Sequence, residues 1–297
     1  MGVKGYKAFN KGMICEGKQY EENATYEENG NEICEAGVMH FCENPFDVLN
    51  YYPLVDENGG ISDFADVEAI GDIYKEKDKT ATNKLHIGAK LGLKGFIKAC
   101  VDFTIEKTRV ESGKDNETDS SGDSAQIGSS GDSAQIGSSG YSAQIGSSGY
   151  FAQIGSSGDS AQIGSSGDSA RIGSSGYSAQ IGSSGYFAKI GSSGDYAQIG
   201  SSGDSARIGS SGYFAKITSK GKHSVVMAAG YNSIAKAKIG SWITLAEWIR
   251  TDKTDDSDNY IWIPKCVKTE CVDGERIKED VFYKLVDGEF KEVESEE

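Results

Sequence analysis

The chain contains little of what marks several common protein classes. Its 297 residues include only 3 prolines and 3 histidines. No apolar run approaches the roughly 18 residues of a membrane-spanning helix. The first residues, MGVKGYKAFNKGM, lack the apolar core of a signal peptide. We therefore expect a soluble, cytoplasmic protein with no membrane partner.

Cysteine pairs of the kind that bind metals are also missing. The 6 cysteines lie at positions 15, 34, 42, 100, 266 and 271, and none forms a Cys-x-x-Cys pair. Cys34, His40 and Cys42 come nearest to a zinc ligand set, but their spacing matches no common zinc site. We expect reduced, mostly buried thiols, no metal site and no other cofactor.

Positive charge is scarce overall, since the formal net charge is −15 and the pI is about 4.7. Residues 123–230 balance their aspartates with an equal number of lysines and arginines, so the excess acid lies in the two flanks. Proteins that bind nucleic acid usually neutralise phosphates with clustered cations. We therefore expect no direct nucleic-acid partner.

The middle of the chain is a tandem nonapeptide. Eleven units, the first at Asp123 and the last at Tyr213, share the pattern [D/Y]-[S/F/Y]-A-[Q/R/K]-I-G-S-S-G, except that the last unit ends in ITSKG. The alternation in S-A-Q-I is typical of a β-strand, and G-S-S-G is typical of a turn. A four-residue strand buries little alone, so stacked coils must line up Ala and Ile inside, with Ser and Gln facing water.

The order of Asp and Tyr predicts the number of units in each coil. At a separation of two units, both columns alternate Asp and Tyr without exception, from Asp123 to Tyr213 and from Asp132 to Asp204. Stacking at three units would place Asp132 on Asp159, and like charges avoid such neighbours. The fourth position agrees, because one column stays mostly Gln while the other becomes basic. We predict 18 residues per coil.

These patterns predict a mainly β protein with three parts. A two-sided β-solenoid of about six coils occupies residues 114–240, between an N-terminal α+β domain (1–113) and a C-terminal β-meander cap (241–297). In the N-terminal part, GLKGFIKACVDFTIEK is typical of an amphipathic helix. We expect this helix to cover the open end of the first coil, since solenoids need their ends covered.

Motifs for catalysis are poorly represented, so we expect no enzyme. No histidine belongs to a recognisable nucleophile motif, and the repeated Ser singles out no one residue. His40, in GVMHFCENP, is the best candidate for an alternative active site in residues 1–113. Calcium β-rolls need G-G-x-G-x-D-x-U-x, whereas here Asp comes one place early and every second unit has Tyr.

The repeat also supplies candidates for a protein-binding surface. Adjacent aromatic pairs resemble the ring-rich centres of protein interfaces, although rings that merely cover the ladder would give the same pattern. The candidate partner-binding residues are Tyr150, Phe151, Tyr186, Phe187, Tyr213 and Phe214, with the basic residues Arg171, Lys189 and Arg207.

Taken together, the N-terminal GYKAFNKGMICEGKQYEE, the SAQIGSSG repeats and the tail CVKTECVDGERIKEDVFYKLVDGEFKEV resemble a family of phage and prophage proteins. That resemblance implies an N-terminal domain of unknown function followed by repeats. By analogy with other small acidic phage proteins, it implies an inhibitor in the host cytoplasm. Its partner would be a host protein complex, such as a CRISPR effector or another nucleic-acid enzyme. The alternatives are a virion or surface component, with homo-oligomerisation, and an enzyme in residues 1–113.

Overall fold

The N-terminal part of the chain pairs short antiparallel strands with one helix. The computed structural model describes residues 2–30, 37–55, 60–108, 117–120, 122–254 and 260–293. In chain order the first elements are β1 (Val3–Phe9), β2 (Ile14–Cys15), β3 (Lys18–Gln19), β4 (Thr25–Glu27), β5 (Met39–Phe41), a 3₁₀ helix (Pro45–Asn50), β6 (Asp63–Ala69), β7 (Ile73–Lys75), β8 (Thr80–Thr82), β9 (Lys84–Leu91) and α1 (Leu93–Thr108). One sheet has the order β1-β6-β9-β4 and another β5-β8-β7.

Two local sequence signals position the parts of this domain that matter below. Asn44 caps the 3₁₀ helix, accepting a hydrogen bond from the Phe46 N–H, and Pro45 starts it with a preset φ. The predicted helix is confirmed as α1. Its apolar residues, including Phe96 and Val101, pack into one core with the 3₁₀ helix.

The repeats form two parallel sheets that face each other across an apolar interior. Their strands are β10 (Glu117–Ser120), β11 (Gln126–Ser129), β12 (Gln135–Ser138), β13 (Gln144–Ser147), β14 (Gln153–Ser156), β15 (Gln162–Ser165), β16 (Arg171–Ser174), β17 (Gln180–Ser183), β18 (Lys189–Ser192), β19 (Gln198–Ser201), β20 (Arg207–Ser210), β21 (Lys216–Ser219), β22 (Val225–Ala228) and β23 (Ile234–Lys236). Even-numbered strands form one sheet and odd-numbered strands the other. The predicted β-solenoid is confirmed.

Each strand pairs with the strand two units further along the chain. Ile154 lies beside Ile172, and Ile172 beside Ile190, so one coil contains 18 residues as predicted. The roll has about seven turns rather than the predicted six. The difference arises because degenerate segments at both ends, β10 at the start and β22 and β23 at the end, keep the ladder although they lack the repeat signature.

The turns lie elsewhere in the repeat than the sequence suggested. The strands are Q-I-G-S, so most of the predicted G-S-S-G turn is extended. The chain reverses instead at the first three positions, and the second residue of each unit has a φ between 53° and 61°. The last glycine of the unit serves close packing, because a Cβ at Gly158 would overlap the carbonyl oxygen of Gly140 one coil earlier.

The interior also differs in part from the expectation. Ala and Ile form the predicted inner rows, for example Ala170 and Ile172. The first Ser of each G-S-S-G also faces inward, as Ser174 does, and Gln162 is buried on one side of the roll. Ser174 faces inward because positions along the strand alternate between the inside and the outside of the roll. Gln162 points outward but is buried because protein covers that side.

All six repeat aspartates link neighbouring coils. The Oδ1 atom of Asp159 accepts a hydrogen bond from the backbone N–H of Tyr177 at 2.7 Å, and Asp168 does the same for Tyr186 at 2.8 Å. The other four aspartates make the same bond to the residue 18 positions later. The Asp–Tyr order therefore does more than separate charges, since each Asp bonds the first residue of the unit stacked on it.

The C-terminal segment extends both sheets. It comprises β24 (Trp242–Thr254), β25 (Tyr260–Cys271), β26 (Tyr283–Val286) and β27 (Glu289–Glu292). β24 pairs in parallel with β22 and then forms a long hairpin with β25. β26 and β27 form a tight antiparallel hairpin across Asp287-Gly288, as the expected β-meander requires. The other Asp-Gly pair, Asp273-Gly274, opens a loop, because Asp273 accepts three backbone N–H groups there.

Candidate binding face

The outward side of the odd-numbered sheet, here called the covered face, lies under the N-terminal domain. α1 contacts β11 of the first coil, as expected, but it continues along β13, β15 and β17 on the side of the roll instead of covering its open end. A Cβ at Gly182 would lie 2.8 Å from Ile97 Cδ1, and one at Gly200 would lie 3.3 Å from Leu93 Cδ2. Glycine lets the helix approach the sheet this closely.

The glutamine row of the covered face joins the two parts of the chain. Asn44 Nδ2 donates to Gln144 Oε1 at 2.8 Å, and Gln144 Nε2 donates to Asp47 Oδ1 at 2.9 Å. Two backbone N–H groups donate to the same row, from Leu54 to Gln180 (3.1 Å) and from Val55 to Gln198 (3.2 Å). This explains why one column stays neutral: amides can donate and accept in a buried interface without the penalty of a buried charge.

Among the described residues, Asp47 is the carboxylate that bonds to that row. Burial raises the pKa of Asp47 above its usual range, while hydrogen bonds from Gln144 and Asn44 act in the opposite direction. The charge of Asp78 adds to the upward shift of the Asp47 pKa. The interface between the N-terminal domain and the roll is therefore polar, but burial makes the charged form of Asp47 unfavourable there.

The outward side of the even-numbered sheet, here called the open face, contains a long groove. The groove has a volume of ≈ 800 Å³. Its floor is formed by Gly137, Gly155, Gly173 and Gly191, and its side by Gln135, Gln153, Arg171, Lys189 and Arg207. A Cβ at Gly155, Gly173 or Gly191 would meet no atom within 4 Å.

Three cations follow one another along that groove. Arg171 pairs in register with Lys189, and Lys189 with Arg207. All three side chains are exposed, and among the described residues none of them forms an ion pair. Neighbouring strands lie about 4.8 Å apart, and like charges directly opposite each other destabilise a sheet. An anionic partner would relieve this repulsion.

The structure divides the predicted aromatic residues between two edges of the roll. Tyr150, Phe151, Tyr186 and Phe187 lie on the turns that lead into the even-numbered sheet, beside the open face. Tyr150 and Phe151 meet edge to face at 4.2 Å, while Tyr186 and Phe187 lie two coils further on. Tyr213 and Phe214 lie on the opposite edge. The six residues therefore do not form a single patch.

Phe151 and Phe187 occupy a backbone conformation that suits few bulky residues. Their φ values are 58° and 57°, where Ser or Asn occurs in most other units. Left-handed backbone at a non-glycine residue costs on the order of 1–3 kcal/mol. Both rings are exposed, Phe187 by 60%, so folding gains little in return. The left-handed turn occurs in every unit, so what distinguishes Phe151 and Phe187 is that a bulky and exposed ring occupies it.

The aromatic residues of the opposite edge pack against one another. The ring of Phe214 stacks on that of Tyr196 with 4.9 Å between the ring centroids, and it meets the ring of Tyr231 edge to face with 5.6 Å between the centroids. Tyr213 lies 6.1 Å from Trp248 of β24. These contacts fasten the last coils to the C-terminal hairpin, which favours a structural role for Tyr213 and Phe214.

His40, the candidate for catalysis, lines a cavity of ≈ 780 Å³ in the N-terminal domain, together with Cys15, Cys42 and Tyr52. Burial, followed by the charges of Lys7 and Lys79, lowers the pKa of His40. Burial raises the pKa of the Cys42 thiol to about 12. A thiol of that kind stays protonated at neutral pH, whereas catalysis by cysteine requires the thiolate.

Cys34, the third member of the zinc set considered above, lies outside the described residues. Within the described ranges, no group of three or more His, Cys, Asp or Glu side chains is placed to hold a metal ion. In the same part of the chain, no helix has both the length and the apolar character needed to cross a membrane.

Residues 3–99 match the model of a domain of unknown function, DUF7666. The match covers β1 to β9 and the first half of α1, and so includes Asn44, Asp47, Leu93 and Ile97, which hold the covered face. The roll and the C-terminal hairpins lie outside the match. No curated protein and no solved structure matches the chain.

Sequence reasoning missed two features of the open face. The first is the glycine floor, which the repeat does not single out because the same glycine occurs in both sheets. The second is Trp242, which lies beside Val225 and is 49% exposed, because an exposed Trp and a buried Trp look alike in a strand pattern. The sequence does distinguish the two sheets at the fourth position of the unit. Arg or Lys replaces Gln there only in the sheet whose outer side is exposed to solvent, apart from Lys216.

Proposed function

We propose that this chain is a non-enzymatic binding protein that holds another protein on the open face of its roll. The observation that carries the proposal is the contrast between two sheets built from one repeat. One is covered by the N-terminal domain, whereas the other presents three unpaired cations and strained, exposed rings. Within this proposal, Phe151 and Phe187 belong to the binding surface, with Tyr150 and Tyr186 beside them.

The narrower form of the proposal names the partner. By analogy with small acidic phage proteins, the partner is a host defence or nucleic-acid-processing complex, such as a CRISPR effector, that is inhibited in the host cytoplasm. The overall negative charge supports a protein partner over nucleic acid, since a net charge of −15 repels a polyanion.

The test is affinity capture from infected cells, with mass spectrometry, using the full chain and two variants of equal charge change. R171E/K189E/R207E alters the open face, and K4E/K11E/K77E alters exposed lysines of the N-terminal domain. We expect one protein in stoichiometric amount with the wild type and the second variant, and its loss with the first. The purified partner should lose activity when the wild-type chain is added. Equal capture by both variants would overturn the proposal.

A structural component is the second candidate function, and one surface favours it. Val225, Met227, Trp242 and Val267 expose apolar side chains where the open face reaches the C-terminal hairpin. Exposed apolar patches often mark interfaces between subunits. Light scattering of the purified chain distinguishes the two functions: a W242S variant should dissociate a homo-oligomer, whereas a monomeric wild type would exclude this candidate.

A further inference from the structure

On the covered face, a column of stacked glycines, one from each coil, is the surface on which a helix packs. Gly164, Gly182 and Gly200 form the column there, and α1 lies directly on it. Leu93, Ile97 and Val101, which are spaced four residues apart, lie over these glycines in reverse order. Four residues of an α-helix rise about 6 Å, and one coil rises about 4.8 Å. A helix crossing the strands at a shallow tilt from the roll axis therefore meets one coil with each turn.

The open face repeats that column without an occupant from the described chain. Glycine inside a strand weakens it, and often marks a place where another molecule approaches closely. The backbone does not require glycine here: the equivalent position carries Met227 and Thr244 in later strands of the same sheet. The glycines from Gly155 to Gly191 leave the floor flat.

The two faces differ in the row beside the glycines. The covered row is Gln, and its partners are amides, backbone N–H groups and Asp47. In the open row, Arg171, Lys189 and Arg207 can only donate hydrogen bonds, so the complementary groups must be acceptors. Carboxylates are the acceptors that pair most strongly with Arg and Lys.

We propose that the open face binds an amphipathic α-helix of the partner protein, with small or aliphatic residues on the glycine column and carboxylates along Arg171, Lys189 and Arg207. This inference rests on the proposed function and specifies its ligand. A single-stranded nucleic acid fits less well, because three cations in a strongly acidic protein give weak phosphate neutralisation. A second copy of the chain also fits less well, because the α1 of that copy already packs against the covered face of its own roll.

The test measures binding of a synthetic helix to the full chain by fluorescence anisotropy. The probe is a labelled 16-residue peptide with the apolar spacing of α1 and Glu on both flanks; the control peptide has Lys at the same places. We expect the Glu peptide to bind the wild type, more weakly at high salt, and the Lys peptide to bind at least tenfold more weakly.

Two variants locate the site. G155T/G173T/G191T fills the groove with residues that favour strands, and unfolding midpoints verify that it folds. R171Q/K189Q/R207Q converts the open row into the covered one. We expect each variant to weaken binding of the Glu peptide at least tenfold, and the second to remove its salt dependence.

Several outcomes would overturn the inference. These are failure of the Glu peptide to bind, equal binding of both peptides, or unchanged binding by the filled-groove variant. Binding of a labelled 20-mer of deoxythymidine in preference to the Glu peptide would assign the face to nucleic acid. Failure here is separate from failure of the proposed function: a captured partner that binds the open face without a helix would sustain the function and refute the helix.

Discussion

The two sheets of the roll have nearly the same sequence but different surroundings. On the covered face, Gly182 and Gln144 contact the N-terminal domain, and each is fixed by what lies against it. On the open face, Gly173 and Gln153 occupy equivalent positions and face water. The residues shared by all units therefore determine how the coils stack. The two faces differ mainly at the fourth position of the unit, where Gln is mostly kept on the covered face and Arg or Lys replaces it in later units of the open face.

The largest expected effect comes from filling the two glycine columns. Gly182→Thr on the covered face should lower the free energy of unfolding by about 2–3 kcal/mol, because its Cβ would press on Ile97. Gly173→Thr on the open face should raise it by about 0.5–1 kcal/mol, since nothing lies within 4 Å and Thr favours a strand more than glycine does. Urea denaturation followed by circular dichroism measures both. Equal losses would mean that the faces are equivalent.

The next effect comes from the glutamine rows. Gln144→Leu should lower the free energy of unfolding by about 1–3 kcal/mol, because Asn44 and Asp47 lose a buried partner. The matched change Gln153→Leu removes an exposed side chain and should have almost no effect. The same denaturation experiment tests the pair. A stable Gln144→Leu variant would show that the interface depends on α1 alone.

These contrasts indicate how far the sequence alone could lead. The coil length was predictable because Asp123 to Tyr213 alternate in only one stacking arrangement, and charge repulsion makes that order meaningful. α1 was predictable from its apolar spacing. The candidate site was predictable only in part: Phe151 and Phe187 lie beside the open face, whereas Tyr213 and Phe214 do not.

The remaining features depend on contacts between distant residues. The docking of α1 on the side of the roll depends on Ile97 meeting Gly182, and a helix pattern does not identify its counterpart. The turn position was hidden because Ser178 adopts a φ of 55°, a conformation usually assigned to glycine or asparagine. The change from Gln to Arg or Lys showed that the two sheets differ. It did not show that the N-terminal domain covers one of them.

A smaller effect should separate the two aromatic edges. Phe187→Asn should raise the free energy of unfolding by about 1 kcal/mol, because Asn tolerates the left-handed backbone and the lost ring is largely exposed. Phe214→Asn relieves the same strain but loses ring contacts worth a similar amount, so its net effect should be near zero. Thermal unfolding compares the two. A destabilised Phe187→Asn would assign that ring to packing.

The smallest effect concerns the charge within the covered face. Because the pKa of Asp47 is raised in the folded state, the folded chain binds this proton more tightly than the unfolded chain does. The stability from this proton is complete below pH about 4, the unfolded value, and is lost as the pH rises through the folded pKa.

Asp47→Asn should therefore be slightly more stable than the wild type at pH 7, and its stability should change less between pH 4 and pH 7. The Asn oxygen can still accept from Gln144 and Asn44, so the hydrogen bonds survive. Asp47→Ala removes the acceptor as well and should be less stable than Asp47→Asn at every pH. Unfolding midpoints across that range measure the difference. A wild type more stable than Asp47→Asn at pH 7 would show that the carboxylate strengthens the covered face.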